Sequence, residues 1–144
     1  MLFDLDLSFD PGTGVDGPVY AVAVDSGNRV IIGGIFTTVG GLSYTSICRL
    51  LSDGSVDSGF LDPGINANGV VTAIAVVNNG FDDLLIAGEF TDIGGTGRNR
   101  IARLSGTGGS LDTSFNPGAG ANSMVNALAI DPTSTLPVDR KSVV

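Results

Sequence analysis

The sequence predicts an all-β repeat fold, and three observations carry that prediction. One motif occurs three times, as LDLSFDPG (5–12), VDSGFLDPG (56–64) and LDTSFNPG (111–118). An apolar run follows each copy: VYAVAV from Val19, VTAIAV from Val71 and VNALAI from Val125. Composition agrees, because 22 Gly and 6 Pro, with 14 Asp against one Glu (Glu89) and one Lys (Lys141), favour turns and strands over long helices.

Several landmarks fix the period. Phe9, Phe60 and Phe115 are 51 and 55 residues apart, and the apolar runs are spaced by 52 and 54. VIIGGIFT (30–37) matches LLIAGEFT (84–91), Gly40-Gly41 matches Gly94-Gly95, and ICRL (47–50) matches IARL (101–104), each at a spacing of 54. The second copy gains residues around 78–83 and one near Gly109, places where a surface turn tolerates insertion.

Within the first copy, four short runs suit strands: 19–24, 30–36, 46–51 and 56–60, each bounded by Gly, Pro, Asn, Asp or Ser. In 19–24 both alternating faces are largely apolar, as expected of a strand covered on each side. Asp25-Ser26-Gly27-Asn28 and Ser52-Asp53-Gly54-Ser55 supply residues that tolerate positive φ between paired strands. Asp10-Pro11-Gly12, Asp62-Pro63-Gly64 and Asn116-Pro117-Gly118 read as tight turns between units.

Four strands per period of about 50 residues is the signature of a propeller blade. The expected architecture is an incomplete β-propeller: two four-stranded antiparallel blades with partial blades at both ends. Residues 1–18 are assigned to the outer-strand fragment and linker of a preceding blade, 19–64 to blade one, 71–118 to blade two and 124–136 to the start of a third. Residues 139–144, DRKSVV, read as a non-native tail.

Charge and composition remove several functions. The net charge of −8 and the scattered Lys and Arg lack the basic footprint that nucleic acid requires. No apolar run approaches the roughly 18 residues of a membrane-spanning helix, so membrane insertion is not expected. The absence of His excludes Ser-His-Asp and Cys-His nucleophile activation, and the single Cys48 provides neither an intrachain disulfide nor a thiolate cluster.

The remaining polar residues are read as structural. Gly33-Gly34 mark a bulge or a close blade-to-blade approach, since no helix start or Lys follows to make a phosphate site. Asp4, Asp6, Ser8 and Asp10 alternate as Ca²⁺ ligands can, but the loop lacks a bidentate Glu. Arg49 and Arg103 hold one repeat position, and ion pairs to Asp57 and Asp112 across a hairpin are expected. Cys48 aligns with Ala102 and reads as a small buried residue. No catalytic, cofactor-binding or metal-binding residue is assigned, and no cofactor is expected.

With LDxSF-(D/N)PG, a GGxFT segment with a following Gly-Gly, and (I)ARL in this order, the sequence resembles the delta-60 repeat β-propeller family over nearly all of residues 5–132. Kelch propellers are a weaker resemblance, because this chain has no Trp. The resemblance implies a segment of a larger secreted or cell-surface bacterial protein, with extracellular or cell-surface localisation and no common activity. The expected function is a non-catalytic scaffold or binding module. Its partners are the remaining blades of the parent protein and a protein or carbohydrate ligand. The alternative is a fragment of a carbohydrate-active propeller enzyme whose catalytic acids come partly from missing blades, with pairs such as Asp82-Asp83 contributing to general acid-base chemistry. Two blades with open apolar ends are also expected to self-associate.

Overall fold

The computed structural model describes residues 6–60 and 66–131, and it contains strands and turns with no helix among them. The Asp62-Pro63-Gly64 turn, Asp4 of the alternating acids, the end of the 124–136 segment and the 139–144 tail lie outside the described residues.

Blade one is a three-stranded antiparallel sheet in the order β1 (Val19–Val24), β2 (Val30–Gly34) and β5 (Ile47–Leu50), with Val24 opposite Val30 and Ile32 opposite Cys48. Blade two repeats it as β6 (Val71–Val77), β7 (Asp83–Gly88) and β10 (Ile101–Leu104). In blade one β1 spans the expected 19–24, β2 stops two residues short of 36, and β5 is one residue shorter at each end than 46–51. The fourth strand of each unit is reduced to a single bridge, Leu50 to Val56 in blade one and Leu104 to Leu111 in blade two. Its cause is local. Asp57 Oδ1 accepts the Gly59 N–H at 3.1 Å, and the Phe60 N–H bonds the Asp57 carbonyl at 3.1 Å, so the chain turns where the strand was expected to run on.

A second difference lies between the second and third strands. β3 (Thr38–Val39) and β4 (Leu42–Ser43) form a small hairpin, and β8 (Asp92–Ile93) and β9 (Thr96–Gly97) form its counterpart. Their tips are the Gly-Gly pairs, with φ of 56° and 79° at Gly40 and Gly41 and 56° and 82° at Gly94 and Gly95. Two successive positive φ values are what a two-residue hairpin turn demands.

The segment before each blade docks on this hairpin. Val15 bridges Val39 and Ala67 bridges Ile93. One residue on, Asp16 accepts the Thr37 and Thr38 N–H groups at 2.8 and 2.9 Å, and Asn68 accepts those of Thr91 and Asp92 at 2.8 and 3.0 Å. Residues 15–18 are thereby tied to blade one itself, through hydrogen bonds that the strand pattern alone does not display.

The core is continuous between the blades. Ile31, Ile47, Leu50 and Phe60 of the first and Val71, Leu84, Ile86 and Leu104 of the second are buried in one cluster. β6 packs on β1 and β2. A methyl group at Gly33 would stand 2.6 Å from Val71 Cγ1 and 2.9 Å from Ile74 Cδ1, so the absent side chain is what lets β6 approach. Ladder register also shifts between Val19 and Ala21 opposite this glycine pair, so the bulge and the close approach coincide. Residues 125–130, aligned with β1 and β6, form no ladder. Val125 is held by its own N–H to the Gly88 carbonyl at 3.2 Å and by the Thr72 hydroxyl, which donates to its carbonyl at 2.5 Å. No described segment supplies the hairpin partner that β2 and β7 provide to their own inner strands.

Candidate functional site

The charged residues gather on the rim where the two β1–β2-type turns meet the turn after β10. Each group begins from a strand-placed arginine. Arg49 and Arg103 lie on β5 and β10 opposite Ile31 and Leu85, and both are buried. A buried guanidinium needs its N–H groups satisfied and its charge balanced.

In blade one, Arg49 Nε donates to Asp57 Oδ2 at 2.9 Å, and Nη2 lies 2.8 Å from the same oxygen. Its guanidinium sits over the Phe60 ring at 4.1 Å from the centroid. Nη1 donates across to the Gly106 carbonyl of blade two, and Nη2 donates to the Thr107 carbonyl at 3.3 Å. Asp25, also buried, receives Gly27 N, Arg29 N and Arg29 Nε at 2.9, 3.0 and 2.7 Å, which closes the β1–β2 turn.

In blade two the expected Arg103–Asp112 pair is the looser one, at 3.7 Å. Arg103 Nη2 instead donates to Asp83 Oδ2 at 2.6 Å, and Nε donates to that oxygen at 3.2 Å. The longer β6–β7 turn is the reason, since it puts Asp83 at the position that Arg29 holds in blade one. Burial pushes the Asp83 carboxyl up, but the Gly106 N–H, the Arg103 guanidinium and the Asn79 amide together outweigh it and hold its pKa below the usual value. Asp82, with φ of 54°, turns to the other blade and accepts the Ser26 hydroxyl at 2.5 Å, with Arg29 Nη2 at 4.0 Å. The pair Asp82 and Asp83 is therefore neither two free acids nor two solvated turn residues. One carboxylate pins blade two to blade one, and the other pins its own arginine.

Beside this seam, a shallow cleft of about 320 Å³ is lined by Phe81, Asp83, Ser105, Ser110 and Asp112. Phe81 is 65% exposed at its mouth. Blade one has Arg29 and Leu51 at the positions of Asp83 and Ser105, so the repeat does not duplicate this lining. The sequence marks the insertion at 78–83 but offers no sign that its aromatic residue faces solvent.

The other flagged residues are structural. Cys48 is buried opposite Ile32, and burial, with the Asp57 charge adding, pushes its thiol pKa up to about 12, which leaves no thiolate for chemistry. Asp6 accepts the Ser8 N–H at 2.9 Å and the Ser8 hydroxyl at 2.5 Å, while Asp10 accepts the Gly12 N–H at 2.9 Å. Asp112 and Asn116 repeat these bonds to Ser114 and Gly118. The alternating acids of the motif thus act as turn formers, and the described residues contain no cluster of three or more metal-ligating side chains.

The model of a β-propeller domain of unknown function (DUF5122) matches the chain twice, at residues 28–60 and 83–115. Each match begins at the end of the first hairpin turn and runs to the buried Phe, once in each blade, and this supports a β-propeller repeat family. The fold is that of an incomplete propeller: antiparallel sheets stacked side by side and not closed into a ring. No curated protein and no solved structure matches the chain.

Proposed function

We propose that the chain is a non-catalytic propeller segment, of the delta-60 repeat type, that serves a larger secreted or cell-surface bacterial protein as a scaffold and as a carbohydrate-binding module. One observation carries the non-catalytic reading. The acids that a glycosidase mechanism would draw on, Asp82 and Asp83, are engaged by Ser26, Arg103, Gly106 and Asn79, where they fix blade against blade. Secretion rests on the resemblance of the repeats.

The binding surface is the cleft beside the seam. An exposed aromatic ring such as Phe81 stacks on the C–H face of a sugar, and the hydroxyls and carboxylate oxygens around it accept and donate to sugar hydroxyls. A rigid wall lowers the ordering cost of binding, and Arg49 and Arg103 supply that rigidity from beneath.

The test is titration of soluble oligosaccharides and polysaccharides against the chain by calorimetry, with product analysis of the same mixtures. Saturable binding that Phe81→Ala removes, with the polymer intact afterwards, is the expected result. Polymer cleavage abolished by Asp82→Asn or Asp83→Asn would overturn the non-catalytic reading, and binding indifferent to Phe81→Ala would remove the cleft from it.

A further inference from the structure

In an Asn-Gly pair a backbone nitrogen stands beside a side-chain amide with the least steric hindrance, because glycine has no Cβ to shield it. The sequence holds two such pairs, Asn68-Gly69 and Asn79-Gly80. The fold treats them differently.

Asn68 is held by the hairpin it caps. Its Oδ1 accepts the Thr91 and Asp92 N–H groups at 2.8 and 3.0 Å, and its Nδ2 donates to the Thr91 hydroxyl at 2.9 Å. Gly69 is packed against the next strand's end, where a methyl group would stand 2.2 Å from the Glu89 carbonyl oxygen. Reaction at Asn68 would cost the cap of the β8–β9 hairpin, and the backbone beside it has no room to pucker.

Asn79-Gly80 lies at the tip of the enlarged β6–β7 turn. Gly80 is exposed, has φ of 82°, and has nothing within 4 Å of the place where a Cβ would stand. Its N–H bonds no described residue, so the nitrogen is free to lose its proton. The Phe81 N–H donates to Asn79 Oδ1 at 3.1 Å, which polarises the amide carbonyl and meets negative charge developing on that oxygen. Exposure of this tip is a property of the repeat: in the corresponding β1–β2 turn, which blade two adjoins through Ser26, residues Ser26, Gly27 and Asn28 are exposed as well.

We propose that Asn79 is a self-modification site, where the Gly80 nitrogen displaces the side-chain amide as ammonia and water completes the conversion to aspartate or isoaspartate. This stands on the turn geometry and not on the binding-module reading. The Gly80 N–H gives its proton to water or hydroxide, and the nitrogen's electron pair forms a bond to Asn79 Cγ. The Cγ–Nδ2 bond then breaks, and the leaving nitrogen takes a proton from solvent to depart as ammonia. One water adds to the cyclic imide that remains. Opening at Cγ gives aspartate with the backbone restored, and opening at the backbone carbonyl gives isoaspartate, with the chain running through the side chain. The consequence falls on Asp83, since Asn79 Nδ2 donates at 2.8 Å to the same Asp83 Oδ2 that holds Arg103. Either product replaces that donor with a carboxylate, and like charges in contact repel.

The test is peptide mapping of the full chain after incubation at mildly alkaline pH, folded and in concentrated urea, with the aspartate and isoaspartate products separated by chromatography. In the folded chain Asn79 should convert roughly tenfold faster than Asn68, and in urea, where both turns are lost, the two rates should converge. Gly80→Ala should slow conversion at residue 79 about tenfold by shielding the nitrogen. Asn79→Asp, read against Asn79→Ser, isolates the new charge: its denaturation midpoint should be the lower of the two, and Asp83→Asn should close the gap. Conversion of Asn68 as fast as Asn79 in the folded chain, or an Asn79 that survives in the folded chain while it converts in urea, would overturn the site. Equal midpoints for Asn79→Asp and Asn79→Ser would overturn its coupling to Asp83. The mapping needs no variant, so a substitution that fails to fold leaves it decisive.

Discussion

Blade one and blade two share a register, strand for strand, yet balance their buried arginine differently. Arg49 has Asp57 beneath it, the Phe60 ring under its plane and two carbonyls of the neighbouring blade at its tips. Arg103 has Asp83 from an enlarged turn of its own sheet, with Asp112 farther off. The repeat therefore keeps the need for a buried cation's partners and leaves open which turn provides them. In blade one the answer couples two blades, and in blade two it is internal. The interface between blades is as much a seam of charge and carbonyl contacts at the rim as it is an apolar stack at the centre.

Phe60→Ala should have the largest effect and should sharpen the contrast. Phe60 is wholly buried and lies under the guanidinium that crosses the seam, whereas Phe115, at the same repeat position, is 8% exposed. A loss of about 3–5 kcal/mol is expected for Phe60→Ala, with a smaller loss for Phe115→Ala. Chemical denaturation of both variants checks this, and equal losses would mean that the Arg49 arrangement adds nothing to blade one.

Gly33→Ala comes next. Its methyl would meet Val71 Cγ1 at 2.6 Å and so push β6 away, at a cost of about 1–3 kcal/mol typical of overpacking. Blade two carries Ala87 at this position, buried, and the segment beside that sheet is the one whose Val125 N–H bonds the Gly88 carbonyl. A Gly33→Ala chain that melts with the unmodified one would show the blades to be less tightly seated than this contact implies.

Much of this is legible in the sequence, for definite reasons. The first three strands of each blade announce themselves because alternation and turn residues are local signals, and Asp-x-Ser and Asp/Asn-Pro-Gly are turns that close within two residues. The β3–β4 and β8–β9 hairpins escape the strand pattern. Their Gly-Gly tips are a strong hairpin signal, but strands of two residues are too short to show alternation. The fourth strand is overstated by the pattern, because apolar Val56 and Phe60 fit a strand while Asp57 closes a turn between them. Least legible is the seam. Arg49 meets the carbonyls of Gly106 and Thr107 more than 50 residues away, and a backbone carbonyl leaves no mark on sequence. The cleft at Phe81 is hidden for a related reason: only the insertion that builds it can be read, not the direction its ring takes.

The smallest effect expected is also the most discriminating between the blades. Asp16 and Asn68 make the same cap on the hairpin that follows them, one as a carboxylate and the other as an amide. The Thr37 hydroxyl donates to Asp16 at 2.6 Å, whereas in blade two the Asn68 amide donates to the Thr91 hydroxyl at 2.9 Å. Only the carboxylate titrates. The Thr37 hydroxyl first, then the Thr38 and Thr37 N–H groups, lower the Asp16 pKa from 3.8 to about 2. A folded pKa below the unfolded one means the stabilisation is fully present above 3.8 and is lost as pH falls toward about 2. Asp16→Asn converts blade one's cap to blade two's. At neutral pH the melting temperature should hardly move, since the amide oxygen still accepts both N–H groups and the amide N–H still finds the hydroxyl. Between pH 3.8 and about 2 the variant should lose less stability than the unmodified chain. Parallel acid limbs in the two melting series would mean that the carboxylate is not held as its three hydrogen bonds require.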